Sequence, residues 1–381
     1  MPPKADRNDR RRLTVLVLVF GTSLGITAFA YPLLALEAGL GVTAVGLLAA
    51  LSAAVQIIAR LSLPALLARF KDRSLMVFSL GVMVISASIL IFTAALFGFV
   101  VAQIAQGLAR GIFHTASQTH SVRIPGIPAR RLAFVQTMAQ LGRFIGPGLA
   151  GSLAVVSFEA SLGAAVGLAV GGVVLGLSLD PIPPYQRVPS AQRTPIWKRS
   201  GLGRGCWGGA VGGTWRGVAE SFVPVLLSRA GLPASVIGWM LSGADGTSFL
   251  TTASVSKWGS TNIGRFVPLA AAGLSIALLL LPLASGILPL GALMMVAGSA
   301  GGVASVLGTA AANAAVEQSE QGAAIALVGT YRAATRFAAP ALVSGAASLI
   351  ALPAALAIVA AGILTPITWL GRPTRLPAGR R

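Results

Sequence analysis

Five arginines stand inside long apolar runs of this sequence: Arg110, Arg143, Arg216, Arg332 and Arg336. Two acids share that setting, Glu220 and Asp245. A charge at the centre of a bilayer costs at least about 2.5 kcal/mol, so such residues face a bundle interior or a wet cavity. Guanidinium forks grip carboxylates and phosphates through paired hydrogen bonds. More cations than acids therefore predict an electropositive cavity that binds an anionic group of a small-molecule substrate. A second arrangement stays open. Arg216 and Glu220 lie four residues apart on one helical face and can neutralise each other, and Asp245 can take another arginine.

Glu220 and Asp245 are also the candidates for proton coupling, because a carboxyl can change charge. Burial and a neighbouring arginine pull its proton affinity in opposite directions. His114 is a third titratable group, for which packing is the expected role. Neither it nor His120 has a local cluster of partners, so no metal site and no cofactor are expected. The single cysteine, Cys206, excludes an internal disulfide. These few residues supply no catalytic cluster, and the chain is not expected to be an enzyme. Trp207, Trp215, Trp239 and Trp258 can stack on a substrate ring, although Trp207 and Trp258 are expected at the membrane interface.

The elements that must position these side chains are membrane helices. Of 381 residues, 55% are hydrophobic and only 10% charged, against about 25% charged in soluble proteins. The apolar runs are continuous rather than alternating, which points to helices and not to a membrane β-barrel. Runs of the required length give twelve spans, roughly 13–36, 41–59, 75–96, 98–118, 133–156, 160–179, 205–227, 234–255, 266–284, 287–311, 322–345 and 348–369. The basic start, the run from Leu13 and Ala-Phe-Ala at 28–30 imitate a secretory signal. The segment has a counterpart later in the chain, so it reads as a retained first helix.

Charge alternates along the connections. The N-terminus is basic, the turn at Glu37 has no Lys or Arg, and Arg69, Lys71 and Arg73 follow. Arg123, Arg130 and Arg131 come next on the same side, and only Glu159 faces the other. Of the 29 Lys and Arg, five lie inside the spans, 23 fall in loops or tails on one side, and Arg229 lies opposite. The loop with Glu317 and Glu320 breaks the pattern, and the basic tail restores it. This is a positive-inside distribution, which places both termini in the cytoplasm of a chain in the cytoplasmic (plasma) membrane. It also assigns the net charge of +19 to anionic lipid headgroups rather than to nucleic acid. A proline-rich polar stretch, DPIPPYQRVPSAQRTPIWKRS, marks a cytoplasmic linker at 180–204. It separates residues 1–179 from residues 205–381, six helices each.

The two halves repeat. Residues 31–48 read YPLLALEAGLGVTAVGLL and residues 223–240 read VPVLLSRAGLPASVIGWM. Residues 140–151, QLGRFIGPGLAG, contain Arg143, Phe144 and Pro147, which recur 193 positions later as Arg336, Phe337 and Pro340. Duplicated halves of this kind build many transporters. In the first copy Gly142, Gly146, Gly148 and Gly151 let another helix approach closely. Pro147, like Pro340 in the second copy, permits a bend. That combination suits helices that rock while Arg143 and Arg336 face the substrate path; static packing is the alternative.

These features resemble the major facilitator superfamily: six helices plus six, a basic central loop, the PLL…GLG turn after helix 1, and GPGLAG in helix 5. The resemblance covers almost the whole chain. It implies an all-α polytopic fold of 12 transmembrane helices in two pseudo-symmetric six-helix bundles, working by alternating access. The helix 5 motif, matched by Gly146, Pro147, Gly148, Ala150 and Gly151, marks drug/proton-antiporter-like members, which implies proton-coupled efflux of a small drug-like or anionic molecule. Uptake of an organic anion, or a non-transporting receptor or assembly role, are the alternatives. Two positions depart from the family. In the gate loop PALLARFKDR, Arg69 and Arg73 remain, but Pro64 and Ala68 replace the usual Gly and Asp, leaving Asp72 to compensate. In helix 4, Gln103 stands where the family has an Arg before Gln106-Gly107, and Arg110 is the residue placed to substitute for it. The chain is expected to act as a monomer.

Overall fold

The computed structural model describes residues 4–124, 128–184, 201–255, 263–316 and 321–365. The acidic loop at Glu317 and Glu320, the basic tail, Trp258 and most of the expected linker lie outside them. Twelve α-helices run in chain order: α1 (Lys4–Glu37), α2 (Val42–Leu67), α3 (Asp72–Phe92), α4 (Leu96–Arg123), α5 (Pro128–Leu153), α6 (Phe158–Leu177), α7 (Leu202–Arg229), α8 (Ala234–Val255), α9 (Ile263–Leu280), α10 (Ile287–Ala314), α11 (Gln321–Ala347) and α12 (Leu352–Leu364). A 3₁₀ turn at Leu281–Leu283 extends α9. The apolar runs thus locate each helix, and the ends differ. α1 starts nine residues before its expected span, because Asp9 and the arginines after it stay helical beyond the apolar run.

Among the described residues seven helices are long and apolar enough to cross a bilayer, by length and composition: α1 from Asn8, α2 as far as Leu63, α3, α4, α6, α9 with its 3₁₀ turn from Phe266, and α10. α5, α7, α8 and α11 are not among them, and they carry Arg143, Arg216, Glu220, Asp245, Arg332 and Arg336. α4, which carries Arg110, is the least apolar of the seven. The charge within the apolar part of the chain is concentrated on a few helices that bear it at the expense of hydropathy.

The chain divides into two compact units: Met1–Pro189 with Ala219–Gly246, and Ser190–Val218 with Thr247–Arg381. In the first unit α1 packs on α5 and α6, α3 on α4 and α6, and α2 on α4. α1 is apolar around its whole circumference and is buried accordingly, with Leu16, Phe20, Ile26 and Ala30 inaccessible to solvent. Phe20 stacks on Phe113 of α4 at a centroid distance of 3.8 Å. His114 sets its ring edge-on to Phe20 at 5.7 Å.

The glycines of α5 set how near its neighbours come. A Cβ on Gly146 would sit 2.6 Å from the Gly25 Cα and 2.7 Å from the Thr22 carbonyl oxygen of α1. One on Gly142 would meet the Leu18 carbonyl oxygen at 2.5 Å. Gly148 and Gly151 face the other way, onto Ser242, Trp239, Ala234 and Gly238 of α8. The Gly148 N–H donates to Ser242 Oγ at 2.8 Å.

The second unit repeats the α1–α5 contact with α7 and α11. Pro147 removes the N–H that would reach the Arg143 carbonyl. A Cβ on Gly25 would lie 3.3 Å from that oxygen and 3.1 Å from Pro147 Cδ. Gly217, at the equivalent place in α7, would meet the Arg336 carbonyl oxygen and Pro340 Cδ, each at 2.9 Å. The residues that recur in sequence therefore make the same helix-to-helix contact in each unit. Elsewhere in this unit α9 packs on α10 and α12, and α11 on α10 and α12. Trp207, expected at the interface, is buried and donates to the Ile363 carbonyl of α12 at 3.1 Å.

Candidate functional site

Within the first unit the structure brings Arg110 and Glu220 together. Arg110 Nη1 lies 3.0 Å from Glu220 Oε2, with the arginine side chain 3% exposed and the acid 17%. α4 and α7 supply one each, 110 positions apart, so this pairing is tertiary. Arg110 Nη2 reaches Gln106 Oε1, one turn back on α4, at 3.4 Å. Gln106 Nε2 donates to Thr27 Oγ1 of α1 at 2.9 Å, and Ser52 Oγ of α2 donates to Gln106 Oε1 at 3.4 Å. A chain of polar groups thus runs from Thr27 through Gln106 and Arg110 to Glu220, linking α1, α2, α4 and α7.

Each member has a local reason for its place. Gly107 packs on the Ser52 backbone and the Val55 side chain, and Gly111 on the Gln56 backbone and the Ala59 side chain. That close approach of α4 to α2 puts Ser52 within reach of Gln106. Thr27 donates its own hydroxyl to the Ser23 and Leu24 carbonyls of α1, which leaves its oxygen lone pairs to accept from Gln106. Nearby, Tyr31 of α1 donates to Ser86 Oγ of α3 at 2.7 Å, and Ser86 donates onward to the Ala102 carbonyl of α4 at 2.7 Å.

The other sequence candidates are distributed as follows. Arg143 is half-buried on α5, its Nε directed to the Ala139 carbonyl at 3.5 Å. Asp245 is half-buried on α8, also in the first unit. In the second unit Arg332 Nη2 donates to the Ser305 carbonyl at 3.1 Å and lies 3.4 Å from Thr309 Oγ1, both on α10. Arg216 and Arg336 are half-buried on α7 and α11. Of the gate-loop residues, Arg69 is exposed, whereas Asp72 is fully buried and paired with Arg123 of α4 at 3.0 Å. Arg73 donates to the Leu179 carbonyl at 3.0 Å.

Sequence reasoning missed Thr27 and Ser52, which look like ordinary small polar residues of membrane helices. It noted Gln106 only as a motif position, although Gln106 and Arg110 share a helical face at i and i+4. It also passed over Asp9, an acid set among arginines at the start of α1.

Residues 13–340 match the Major Facilitator Superfamily. Against the curated proteins the sequence finds no significant match. Among solved structures the fold is similar to that of the nucleoside transporter NupG (D323A mutant), with a TM-score of 0.76 at 12% identity over 95% of this chain and 98% of that one. It is similar to the human organic anion transporter MFSD10 (TETRAN), with a TM-score of 0.68 at 16% identity over 97% and 100%. A bacterial homolog of the human lysosomal transporter Spinster, in an inward-facing and unoccupied conformation, gives 0.68 at 14% identity over 97% and 95%. At these identities the likeness is one of fold.

Proposed function

We propose that this chain, which belongs to the Major Facilitator Superfamily, is a secondary active transporter that exports a small organic molecule, drug-like or anionic, against inward proton movement. Members of the family are integral membrane transporters and not enzymes, so transport is the premise; substrate, direction and coupling are the inference. The observation that carries it is the Arg110–Glu220 pair, nearly enclosed and tied by Gln106 to α1 and α2. An acid on which an arginine depends is a group whose protonation frees a cation, and that exchange can link a proton to a substrate anion. Asp245 is the second proposed carrier. Arg143, Arg332, Arg336 and Arg216 supply further cations to the substrate path. The duplicated Gly–Pro contacts give each unit one tightly fitted helix pair about which to rock. The nucleoside and organic-anion transporters among the structural neighbours support a small organic molecule as the substrate class. The positive-inside pattern supports cytoplasmic termini, and the reading puts the chain in the plasma membrane as a monomer.

The test is a flux screen of purified protein in proteoliposomes, with a pH gradient and with a protonophore. Export collapsing on protonophore addition is the expected result. Flux insensitive to the gradient removes proton coupling, inward flux reverses the direction, and no flux of any organic solute favours a receptor role. For the identified substrate, Arg143→Ala and Arg336→Ala are each expected to lower kcat/KM by at least about tenfold, a loss of ~1.4 kcal/mol of binding, while the protein still inserts. Undiminished flux in both excludes them from the substrate path.

A further inference from the structure

The first unit buries two polar assemblies. One lies at the start of α1 and α3 and the end of α4. There His120 Nε2 is 3.1 Å from Asp9 Oδ2, and Arg123 Nη1 is 3.0 Å from Asp72 Oδ2. It stands about 15 Å along α4 from Arg110 and joins helix ends. The other assembly surrounds Arg110, and its centre is the side-chain amide of Gln106, which is 3% exposed. That amide meets three polar neighbours, Thr27, Ser52 and Arg110. Which end of it faces which neighbour follows from what each neighbour can give or take.

A guanidinium only donates, so Arg110 Nη2, at 3.4 Å, requires the amide oxygen. Ser52 can donate or accept and imposes nothing. Thr27 settles the nitrogen end. Its hydroxyl proton is directed at the Ser23 and Leu24 carbonyls of its own helix, at 3.2 and 3.1 Å. Its oxygen is left to accept, and it takes Gln106 Nε2 at 2.9 Å. That contact is shorter than either of the two at the amide oxygen, each 3.4 Å. The amide is thus held by its nitrogen and offers its oxygen to Arg110.

The guanidinium depends on that oxygen. Arg110 Nη1 is engaged by Glu220, and Arg110 Nε is buried with no hydrogen-bond partner among the described residues. Bonds at Nη1 and Nη2 together fix the plane of the fork, whereas Nη1 alone lets it pivot on the carboxylate. Without the Thr27 hydroxyl the buried amide nitrogen loses its acceptor, which is costly. Gln106 then turns to another acceptor and takes its oxygen away from Arg110.

We propose that Thr27 is a positioning residue for the Arg110–Glu220 pair, acting through the Gln106 amide that it anchors. The bond from Gln106 to Thr27 adds little stability of its own; its effect is on where the guanidinium stands. The consequence for transport rests on the function proposed above, and the anchoring does not.

Variants of the full chain at position 27 test it. Valine keeps the shape of threonine without the hydroxyl, and serine keeps the hydroxyl. The coupling between Arg110→Met and Glu220→Leu, read from unfolding as a ratio of equilibrium constants, is expected to fall at least about fivefold in a Thr27→Val background. In Thr27→Ser it is expected to stay within about twofold of the parent. Undiminished coupling in Thr27→Val, or an equal loss in Thr27→Ser, overturns the anchoring. Gln106→Leu is expected to lower the coupling as Thr27→Val does, and Thr27→Val to add nothing to it; an additive loss overturns the route through Gln106. Flux then separates the two claims. If the coupling falls while proton-driven flux of the identified substrate is unchanged, Thr27 positions the pair and the pair is not where protons are coupled. Should Thr27→Val fail to fold, NMR of the parent in lipid nanodiscs decides independently. The Gln106 amide protons must show a direct contact with the Thr27 side chain, and no contact overturns the proposal.

Discussion

Gly146→Leu is expected to leave almost no folded protein in the membrane, and Gly146→Ala to lower the thermal midpoint clearly. The reason is what the new atoms meet. Overpacking a core costs about 1–3 kcal/mol when flexible side chains absorb it. A Cβ at 146 instead meets the Gly25 Cα at 2.6 Å and a main-chain oxygen at 2.7 Å, and main chain inside a helix does not give way. Only separation of α1 from α5 relieves the clash, and that separation empties the contact that α1, the most enclosed helix, depends on. The matching contact in the second unit makes the claim sharper. Gly217→Ala, against Pro340 and the Arg336 carbonyl, is expected to destabilise to a similar degree. Gly163, Gly167 and Gly171 on α6 have open space where a Cβ would go, so alanine there is expected to be neutral or to gain up to ~1 kcal/mol of helix propensity. Thermal unfolding followed by size-exclusion of detergent-solubilised variants measures all six. Equal midpoints for Gly146→Ala and Gly167→Ala would refute the close-contact account.

The same contrast shows what is legible in a sequence of this kind. Twelve helices followed from apolar runs because lipid leaves the backbone few ways to satisfy its hydrogen bonds. The repeat was legible because Arg-Phe-x-x-Pro and the turn after helix 1 agree on nearly one offset, and Gly25 on Pro147 with Gly217 on Pro340 is its physical content. The partners of the charges were not legible. Arg110 and Glu220 are 110 positions apart, whereas Arg216, four residues before Glu220, is the partner that a single segment suggests. Helix periodicity tells which face a residue occupies, but not which helix lies opposite. The cluster around His120 was missed for a related reason. Counting Lys and Arg as topology markers treats Arg73 and Arg123 as loop charges. Asp72 and Asp9 are buried beside them because three helix ends converge there, which no single segment reveals.

Removing either member of the Arg110–Glu220 pair is expected to be worse than removing both. Arg110→Ala leaves a largely enclosed carboxylate beside Gln106, and Glu220→Ala leaves a guanidinium that is 3% exposed. Removing one member of a buried ion pair costs about 3–5 kcal/mol, whereas an apolar replacement of the whole pair is often neutral. The neutral hydrogen bonds of the chain, Gln106 to Thr27 among them, contribute far less, on the order of 0.6 kcal/mol each in a membrane. Stability of Arg110→Met, Glu220→Leu and the double variant should therefore show a coupling of at least ~2 kcal/mol, with the double variant nearest the parent. Function separates the charge from the fold. Glu220→Gln keeps the shape and removes the titrating group, so flux of the identified substrate should persist down its own gradient yet cease to follow the proton gradient. Asp245→Asn serves as the comparison on α8. If Glu220→Gln still accumulates substrate against its gradient as the parent does, Glu220 is not the carrier and the pair is a strut between α4 and α7. If the double variant is the least stable of the three, the pair is held by its surroundings and not by its own attraction.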